Sequence, residues 1–210
     1  MAKFNPDCAL CARLSDFRKT IKRQYPEYFA RPVPAFGDSN PRLLIVGLAP
    51  GLHGANATGR PFTGDYAGIL LYNTLYETGF SNKAESVHRD DGLQLRDCRI
   101  TNAVKCVPPQ NKPVPAEINC CNQFLRTELE QFKDCTVILA LGRIAHQAVV
   151  RTMELKQAQY PFEHAREHNL PCGRILIDSY HCSRYNTQTR RLTEDMFRSI
   201  FRRIRNLLDA

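Results

Sequence analysis

The most informative stretch of the chain for its fold is residues 43–65, which read LLIVGLAPGLHGANATGRPFTGD. Its apolar, β-branched start, residues 43–47, predicts a buried strand, and a helical pattern begins directly after Asp65. The loop between them, counted from Gly47, holds five glycines and two prolines. Glycines let backbone N–H groups approach a ligand closely, and prolines fix the path of a loop. The segment therefore predicts a glycine-rich functional loop between a strand and a helix.

This loop differs from the two common nucleotide-binding loops. It contains neither the G-x-G-x-x-G pattern of dinucleotide-binding folds nor the G-K-[ST] ending of phosphate loops. Asp65 stands just before a predicted helix, where capping of the helix N-terminus is the commoner role. Phe62, taken alone, is more often a core residue than a stacking platform. The function of the loop therefore depends on what the fold places beside it.

Strand-like runs alternate with helical patterns along the rest of the chain. The predicted strands are residues 43–47, 98–104, 136–141 and 174–178. The predicted helices are residues 15–25, 66–78, 115–132, 143–156 and 193–208. Such alternation is typical of a parallel sheet covered by helices on both faces. We therefore expect residues 1–210 to form a single α/β domain, a three-layer α/β/α fold with a central, mainly parallel four-stranded sheet.

Length and composition narrow the class further. The chain has 210 residues, of which 43% are hydrophobic, and this allows a sizeable buried core. The longest apolar runs, residues 43–48 and 136–141, are strand-sized and far below the roughly 20 residues that span a bilayer. Residues 1–7 hold no apolar segment of the secretory type. We therefore expect a cytoplasmic protein with no membrane partner.

The charge balance is basic. Lysine and arginine number 29 against 21 aspartates and glutamates, which gives a formal net charge of +8. Such a charge attracts polyanions, with nucleic acid the first candidate partner and an anionic membrane surface the second. A soluble basic surface without a polyanionic partner explains the charge equally well.

Two polar residues follow later strands of the predicted sheet. Asn102 ends the second strand, and His181 comes shortly after the fourth. A lone asparagine at a strand end is usually a turn residue, and a lone histidine is usually structural. The carboxyl ends of parallel strands meet at one edge of the sheet, however, so both residues would lie beside the Asp65 loop. This convergence favours a functional site.

The cysteines suggest a metal site. There are nine of them, and an odd number without a secretion signal argues against a disulfide framework. Cys8 and Cys11 form a C-x2-C pair, which is a common metal-binding spacing. Cys106 and Cys121 stand too far apart for a zinc knuckle, so spacing alone does not distinguish zinc from iron–sulfur. Ordinary burial is the alternative for this second pair.

Cys120 and Cys121 are adjacent, and we expect only one of them to be a ligand. On a helix, Cys121 shares an apolar stripe with Ile118 and Leu125, whereas Cys120 points about 100° away. Cys121 is therefore predicted to face the interior. The other four cysteines have no partner at ligand spacing and are predicted to be structural: Cys98, Cys135, Cys172 and Cys182.

Three segments together resemble the uracil-DNA glycosylase superfamily, in particular its type-B, or family-five, iron–sulfur branch. They are residues 47–65, residues 101–109 with the sequence TNAVKCVPP, and residues 181–193. The type-A branch has a carboxylate directly after the first-strand glycine, where this chain has Leu48. The large uracil-specific branch has an aspartate one position later, at Ala49. Type-B enzymes lack both and use the aspartate that corresponds to Asp65.

The chain departs from the family pattern at two points. The family has His-Pro-Ser in its third motif, whereas this chain has His181-Cys182-Ser183. A family glycine near Thr189 is replaced by Arg190. The loss of the proline removes a backbone constraint and affects the pose of this loop more than its chemistry.

The resemblance implies a DNA glycosylase of base-excision repair. Such an enzyme flips out uracil, or another deaminated or damaged base such as hypoxanthine, xanthine or ethenocytosine, and hydrolyses its N-glycosidic bond. Asp65 would stabilise the sugar cation and orient water, His181 would stabilise the departing base, and Asn102 would read the base edge. Phe62 would stack on the flipped base.

The resemblance also implies partners and a cofactor. The substrate would be double- or single-stranded DNA with a damaged base, bound by a monomer. The expected base- and DNA-binding residues besides Phe62 are Gly47, Ala49, Gly142, Ser183, Arg184 and Tyr185. Four cysteines would hold a [4Fe–4S] cluster that acts as an architectural staple: Cys8, Cys11, Cys106 and Cys121.

Three alternatives stay open at this point. A non-catalytic lesion-binding module on the same fold would bind DNA without releasing a base. A type-A uracil glycosylase is disfavoured by Leu48. A protein with a zinc staple and another hydrolytic activity would be distinguished by its metal content.

Overall fold

The computed structural model describes residues 3–132 and 135–210. Its strands are β1 Phe36–Gly37, β2 Leu43–Gly47, β3 Cys98–Asn102, β4 Val137–Leu141, β5 Glu167–Asn169 and β6 Ile175–Ser179. They form a sheet of six strands in the order β1-β3-β2-β4-β6-β5. The four predicted strands are its centre, and they run parallel to one another.

The predicted strand number needs a correction. Two short edge strands flank the parallel centre, with β1 antiparallel to β3 and β5 antiparallel to β6. They comprise two and three residues. Strands this short contain too few residues for an alternating hydrophobic pattern, so no periodicity in the sequence marks them.

Helices cover both faces of the sheet, as the α/β/α prediction requires. They are α1 Ala12–Gln24, α2 Ala55–Thr58, α3 Tyr66–Glu77, α4 Pro115–Gln131, α5 Arg143–Thr152, α6 Arg184–Gln188 and α7 Glu194–Asp209. The helix predicted over 143–156 ends four residues early, and Glu154 beyond it adopts a left-handed φ of 57°.

Alternation along the strands divides the core into two layers. Leu43 and Ile45 of β2 belong to the cluster formed with α3 and α7. Leu44 and Val46 belong to the cluster formed with α1, α4 and α5. Because successive side chains of a strand point to opposite faces, one strand contributes to both layers.

The register of the parallel strands fixes the position of the site. Gly47 pairs with Asn102 at the ends of β2 and β3, and Leu141 pairs with Ser179 at the ends of β4 and β6. All four parallel strands therefore end at one edge, where the long loops begin. Within residues 3–132 and 135–210, no helix combines the length and apolar character needed to cross a membrane.

Candidate active site

Asp65 has a different role from the helix cap that its position suggests. It occupies the N-cap position of α3, yet its side chain makes no capping hydrogen bond. Its Oδ2 instead accepts a hydrogen bond from the backbone N–H of Ala55 at 3.1 Å. Burial raises the pKa of the Asp65 carboxyl above its ordinary value, and the hydrogen bond from Ala55 opposes that rise. The protein thus holds a partly desolvated carboxylate within the loop.

Two loop glycines leave room for this carboxylate. A Cβ atom added at Gly51 would stand 2.2 Å from Oδ1 of Asp65, and one added at Gly54 would stand 1.9 Å from the same oxygen. Both distances are far shorter than a van der Waals contact. The glycines of the loop are therefore required at these positions because its backbone folds directly around the Asp65 side chain.

Asn102 lies at the end of β3 with an open hydrogen-bond acceptor. Its side chain is 3% exposed, and its Oδ1 has no hydrogen-bond partner in the described part of the chain. A Cβ added at Gly47 would lie 2.4 Å from this oxygen and 2.8 Å from the Phe62 ring. A buried amide oxygen without a partner costs free energy, which a ligand with a matching donor would recover. Gly47, Phe62 and Asn102 thus pack closely together, and this cluster of a flat ring and an open polar edge is called the slot below.

The backbone of Phe62 is held in an unusual conformation. Its φ of 57° lies in the left-handed region, which a bulky residue rarely adopts. The first turn of α3 packs against it, because a Cβ at Gly68 would come within 1.8 Å of the Phe62 carbonyl oxygen. Backbone strain of this kind concentrates at binding and catalytic sites. Helix α3 therefore fixes the direction in which the Phe62 ring points.

His181 reaches the same slot from the other side of the sheet centre. Its ring stacks on Phe62 with the ring centroids 6.0 Å apart and an interplanar angle of 24°. Burial lowers the pKa of His181 from 6.5 to about 4. The imidazole is therefore neutral at physiological pH, and a neutral imidazole carries one N–H donor and one acceptor. This ring can donate a hydrogen bond to a developing anion without being charged beforehand.

Cys182 anchors the loop that carries His181. Its side chain is fully buried, and its thiol donates to the carbonyl oxygen of Ala67 in α3 at 3.4 Å. Burial raises the pKa of Cys182 to about 12, so the thiol remains protonated. Where the family has a proline, this chain has a buried thiol, and its contact with Ala67 holds the His181 loop against α3.

Three residues predicted to contact DNA occupy the rim of this site. The Arg184 guanidinium lies 5.4 Å from the centroid of the Tyr66 ring, and Tyr185 is 71% exposed. Ser183 caps α6, since its hydroxyl accepts from the N–H of Asn186 at 3.4 Å. The sequence motif indicated Ser183 only as a DNA contact and did not predict that it caps a helix.

Two further predicted residues make other contacts. Ala49 is half-buried and packs against the core layer beneath α4 and α5. The N–H of Gly142 donates to the carbonyl oxygen of Ser179 at 2.8 Å. Gly142 is among the residues predicted to bind DNA, and its own N–H is committed to this contact within the sheet edge.

A cleft of 360 Å³ opens beside His181. Sequence reasoning missed several side chains that line it: Arg143, Phe162, Tyr180, Asn186 and Arg191. The Arg191 guanidinium lies 4.5 Å from the Tyr180 ring centroid, and the Arg143 guanidinium lies 5.9 Å from the centroid of Phe162. These residues lie in three separate segments of the chain, around residues 143, 162 and 180–191, so only the folded structure brings them together. The cleft places two arginines next to the slot.

The cysteines of three chain segments line one cavity. They are Cys8 and Cys11 before and at the start of α1, Cys106 after β3, and Cys120 and Cys121 in α4. Burial raises the pKa of Cys106 to about 12 and that of Cys121 to about 11. Cys121 is buried and its sulfur accepts from the N–H of Lys105 at 3.3 Å, whereas Cys120 is half-buried. The interior position predicted for Cys121 is confirmed.

The spacing of these sulfurs bears on which metal they fit. Among the described residues, the group of three potential ligand atoms lying within 4.8 Å of one another is His146, His168 and Asp178. No three of the cysteine sulfurs among the described residues lie within 4.8 Å of one another. A single zinc ion would hold its sulfur ligands closer together than this, because Zn–S bonds are only about 2.3 Å long. A wider donor set made only of sulfur fits an iron–sulfur cluster.

The His146 group has a structural explanation. Its Nδ1 lies 2.7 Å from Oδ1 of Asp178, and its Nε2 lies 2.7 Å from the carbonyl oxygen of Tyr160. Nε2 of His168 lies 3.3 Å from the second Asp178 oxygen. Both ring nitrogens of His146 are thus used by the protein, and the buried network fastens the loop after α5 to β6.

The fold and the slot together define the class of protein. It is an α/β protein that gathers a flat aromatic ring, an unpartnered amide oxygen and a partly desolvated carboxylate at the carboxyl ends of its parallel strands. Residues 34–205 match the family model described as the Uracil DNA glycosylase superfamily. The chain belongs to this superfamily.

Its similarity to individual members extends over almost the whole chain. It is 46% identical to a type-5 uracil-DNA glycosylase of Thermus thermophilus over 205 residues, covering 95% of this chain and 93% of the relative. A type-5 enzyme of Pyrobaculum aerophilum is 43% identical over 94% of this chain and 87% of its own length. A type-4 uracil-DNA glycosylase of Saccharolobus solfataricus is 29% identical, covering 88% and 82%.

Proposed function

We propose that this protein is a uracil-DNA glycosylase of the type-5 kind, acting as one domain over residues 1–210. The observation that carries the proposal is the Asp65 carboxylate, which sits at a helix start without capping it. The carboxylate lies in the loop that also carries Phe62, and the Phe62 ring stacks on His181. A half-buried carboxylate beside an aromatic ring and a polar edge suits a reaction in which positive charge develops on a sugar.

Asp65 and His181 divide the chemistry. As the bond between the sugar C1′ and the base nitrogen breaks, its electron pair leaves with the base, and positive charge builds on the sugar. The Asp65 carboxylate stabilises that charge and orients the water that adds to C1′. The neutral His181 ring donates a hydrogen bond to the base as it becomes an anion. The proton lost by the water neutralises the released base in solution.

Asn102 and Phe62 select the ligand. The open Oδ1 of Asn102 accepts from a ring N–H, and its amide N–H donates to a neighbouring carbonyl, which matches the N3–H and O4 edge of uracil. Stacking on Phe62 requires only a flat ring. The slot therefore also suits hypoxanthine and xanthine, which carry a ring N–H beside a carbonyl, whereas ethenocytosine lacks a ring N–H on that edge and would be held by stacking alone.

DNA is the proposed partner, bound by a monomer in the cytoplasm, where nine unpaired thiols suit a reducing environment. Arg184 and the exposed Tyr185 stand at the rim of the site, and Arg143 and Arg191 line the neighbouring cleft. The target base must leave the stack in duplex DNA, whereas single-stranded DNA avoids this cost. Binding of either form should weaken steeply with added salt, because lysine and arginine release counterions from phosphates.

The cysteine cavity is the proposed site of a [4Fe–4S] cluster. Cys8, Cys11, Cys106 and Cys121 would hold it, which joins the segment before α1 to the end of β3 and to α4. When bound, the cluster supplies a cross-link among these segments. The matched test compares Cys121→Ala with Cys120→Ala in anaerobically purified protein. We expect about four irons per chain in the wild type and in Cys120→Ala, and iron loss in Cys121→Ala; the reverse pattern would exchange the two ligands.

The function is tested by base release from defined DNA. Single-turnover assays use duplex and single-stranded oligonucleotides that carry one uracil, hypoxanthine, xanthine or ethenocytosine. We expect release of uracil from both forms. Tight binding without release of any base would instead establish the non-catalytic lesion-binding module.

A further inference from the structure

Arg18 is a buried cation that the glycosylase reaction does not use. It lies in α1 with 8% of its surface exposed. One guanidinium nitrogen donates to the carbonyl oxygen of Cys8 at 2.6 Å. Its Nε is buried and has no hydrogen-bond partner among the described residues, and no carboxylate there lies within ion-pair distance of it.

Two other arginines in the described part of the chain are held differently. Arg60 forms a close ion pair with Asp91, with both side chains largely buried. Arg99 is half-buried and, although its Nε also has no partner there, its guanidinium donates to the carbonyl oxygens of Gly37 and Asp38 at 2.9 Å. Burying a charge without a counter-charge is costly, so the position of Arg18 requires an explanation that the protein atoms do not supply.

The cavity beside Arg18 supplies that explanation. Arg18 is one of its lining residues, together with Cys8, Cys11, Cys106 and Cys121. Four thiolates on a [4Fe–4S] core carry a net negative charge in its common oxidation states. A guanidinium facing such a group gains both an opposite charge and acceptors for its remaining N–H.

We propose that Arg18 is the counter-charge of the cluster in this protein, holding it in place and favouring its more reduced state. The proposal rests on the cluster proposed above. Each one-electron reduction adds a negative charge to the cluster, and a fixed cation nearby stabilises the more negative state. Net charge and hydrogen bonds near the sulfurs are established determinants of cluster potential. Loss of the Arg18 charge should therefore make the cluster harder to reduce.

The test uses anaerobically purified full-length Arg18→Gln and Arg18→Lys. The matched control is Arg99→Gln, which removes a half-buried arginine whose buried Nε is also unpartnered, outside the cysteine cavity. The readouts are iron and sulfide per chain, and the midpoint potential of the cluster by protein-film voltammetry. Circular dichroism and thermal melting report the fold of each variant.

We expect Arg18→Gln either to lose iron or to retain it with a more negative midpoint potential. Arg18→Lys, which keeps the charge, should stay closer to the wild type in both respects, and Arg99→Gln should match the wild type.

Three results would overturn the inference. The first is full iron content with an unchanged potential in Arg18→Gln, and the second is an equal shift of potential in the Gln and Lys variants. The third is equal iron loss in Arg99→Gln, which would indicate a general effect on folding. Wild-type protein without iron would refute the cluster itself, and that outcome is distinguished because it precedes any comparison of variants.

Discussion

Replacement of Asp65 by asparagine separates catalysis from stability. Asparagine has nearly the same shape, and its side-chain oxygen can still accept from the N–H of Ala55, which lies 3.1 Å from the present carboxylate. The change removes only the charge. A unit charge about 4 Å from the developing sugar cation contributes about 4 kcal/mol at an effective dielectric constant of about 20. Asp65→Asn should therefore slow single-turnover release of uracil about a thousandfold.

The same Asp65→Asn variant should keep or gain stability although it loses activity. Burial raises the pKa of Asp65 in the folded protein, so the folded state binds this proton more tightly than the unfolded chain does. Stability is then lost as the pH rises from the ordinary carboxyl value through the raised pKa. At pH 7 the ionised Asp65 costs stability, and Asp65→Asn should melt at the same or a higher temperature than the wild type. The difference should vanish in acid, where both side chains are neutral.

Rates and melting curves measured on the same preparation distinguish a catalytic role of Asp65 from a capping role. The control is Asp90→Asn, which changes an exposed aspartate. Asp65→Ala is measured beside Asp65→Asn, because asparagine caps a helix as well as aspartate does. If Asp65 acts only as a helix cap, Asp65→Ala should lower stability by about 1 kcal/mol, and both variants should leave the rate per folded molecule intact. That combination would refute the catalytic assignment.

Three further predictions concern the surroundings of the site. Gly54→Ala should reduce base release at least as strongly as Asp65→Asn, because its Cβ would lie 1.9 Å from the carboxylate oxygen; wild-type release would show that the loop can open. The rate should show no titration near 6.5, the ordinary histidine value, because the pKa of His181 is lowered to about 4. The rate should instead decrease in acid as Asp65 becomes protonated, at a pH above the ordinary carboxyl pKa because burial raises the pKa of Asp65. The measurement is the rate of base release from pH 4 to 8, and an inflection near 6.5 would contradict the lowered pKa of His181. Lys105→Met should lower the free energy of unfolding by about 3–5 kcal/mol in denaturant, since Nζ of Lys105 lies 2.8 Å from the buried Glu128 carboxylate. Adding Glu128→Leu should restore much of this loss. Unchanged stability in Lys105→Met alone would mean that water reaches the ion pair.

The placement of the candidate site residues at one edge of the sheet was predictable from the sequence, because the four parallel strands end there. Asp65, Asn102 and His181 are far apart in the chain, yet each follows a strand or its loop, so topology alone brings them together. The role of Asp65 was not decidable in this way. A residue before a helix normally caps it, and only the direction of the carboxylate, toward Ala55, excludes that role.

Other features depend on packing that no pattern in the sequence encodes. The edge strands β1 and β5 are two and three residues long, and their pairing is decided by the strands beside them. Arg143 and Arg191 share a cleft although they are far apart in the chain. Arg18 occupies a buried position of an ordinary amphipathic helix, and only its position at the cysteine cavity distinguishes it from a surface arginine.

The four glycines packed around the slot restrict both redesign and evolution of the site. Gly47, Gly51, Gly54 and Gly68 each touch a group whose position matters, at 1.8 to 2.4 Å from where a Cβ would be. None of them can acquire a side chain unless its neighbour moves as well, so these positions can change only in concert. A graft of this specificity onto another scaffold must therefore transfer residues 47–68 as one block, including the first turn of α3.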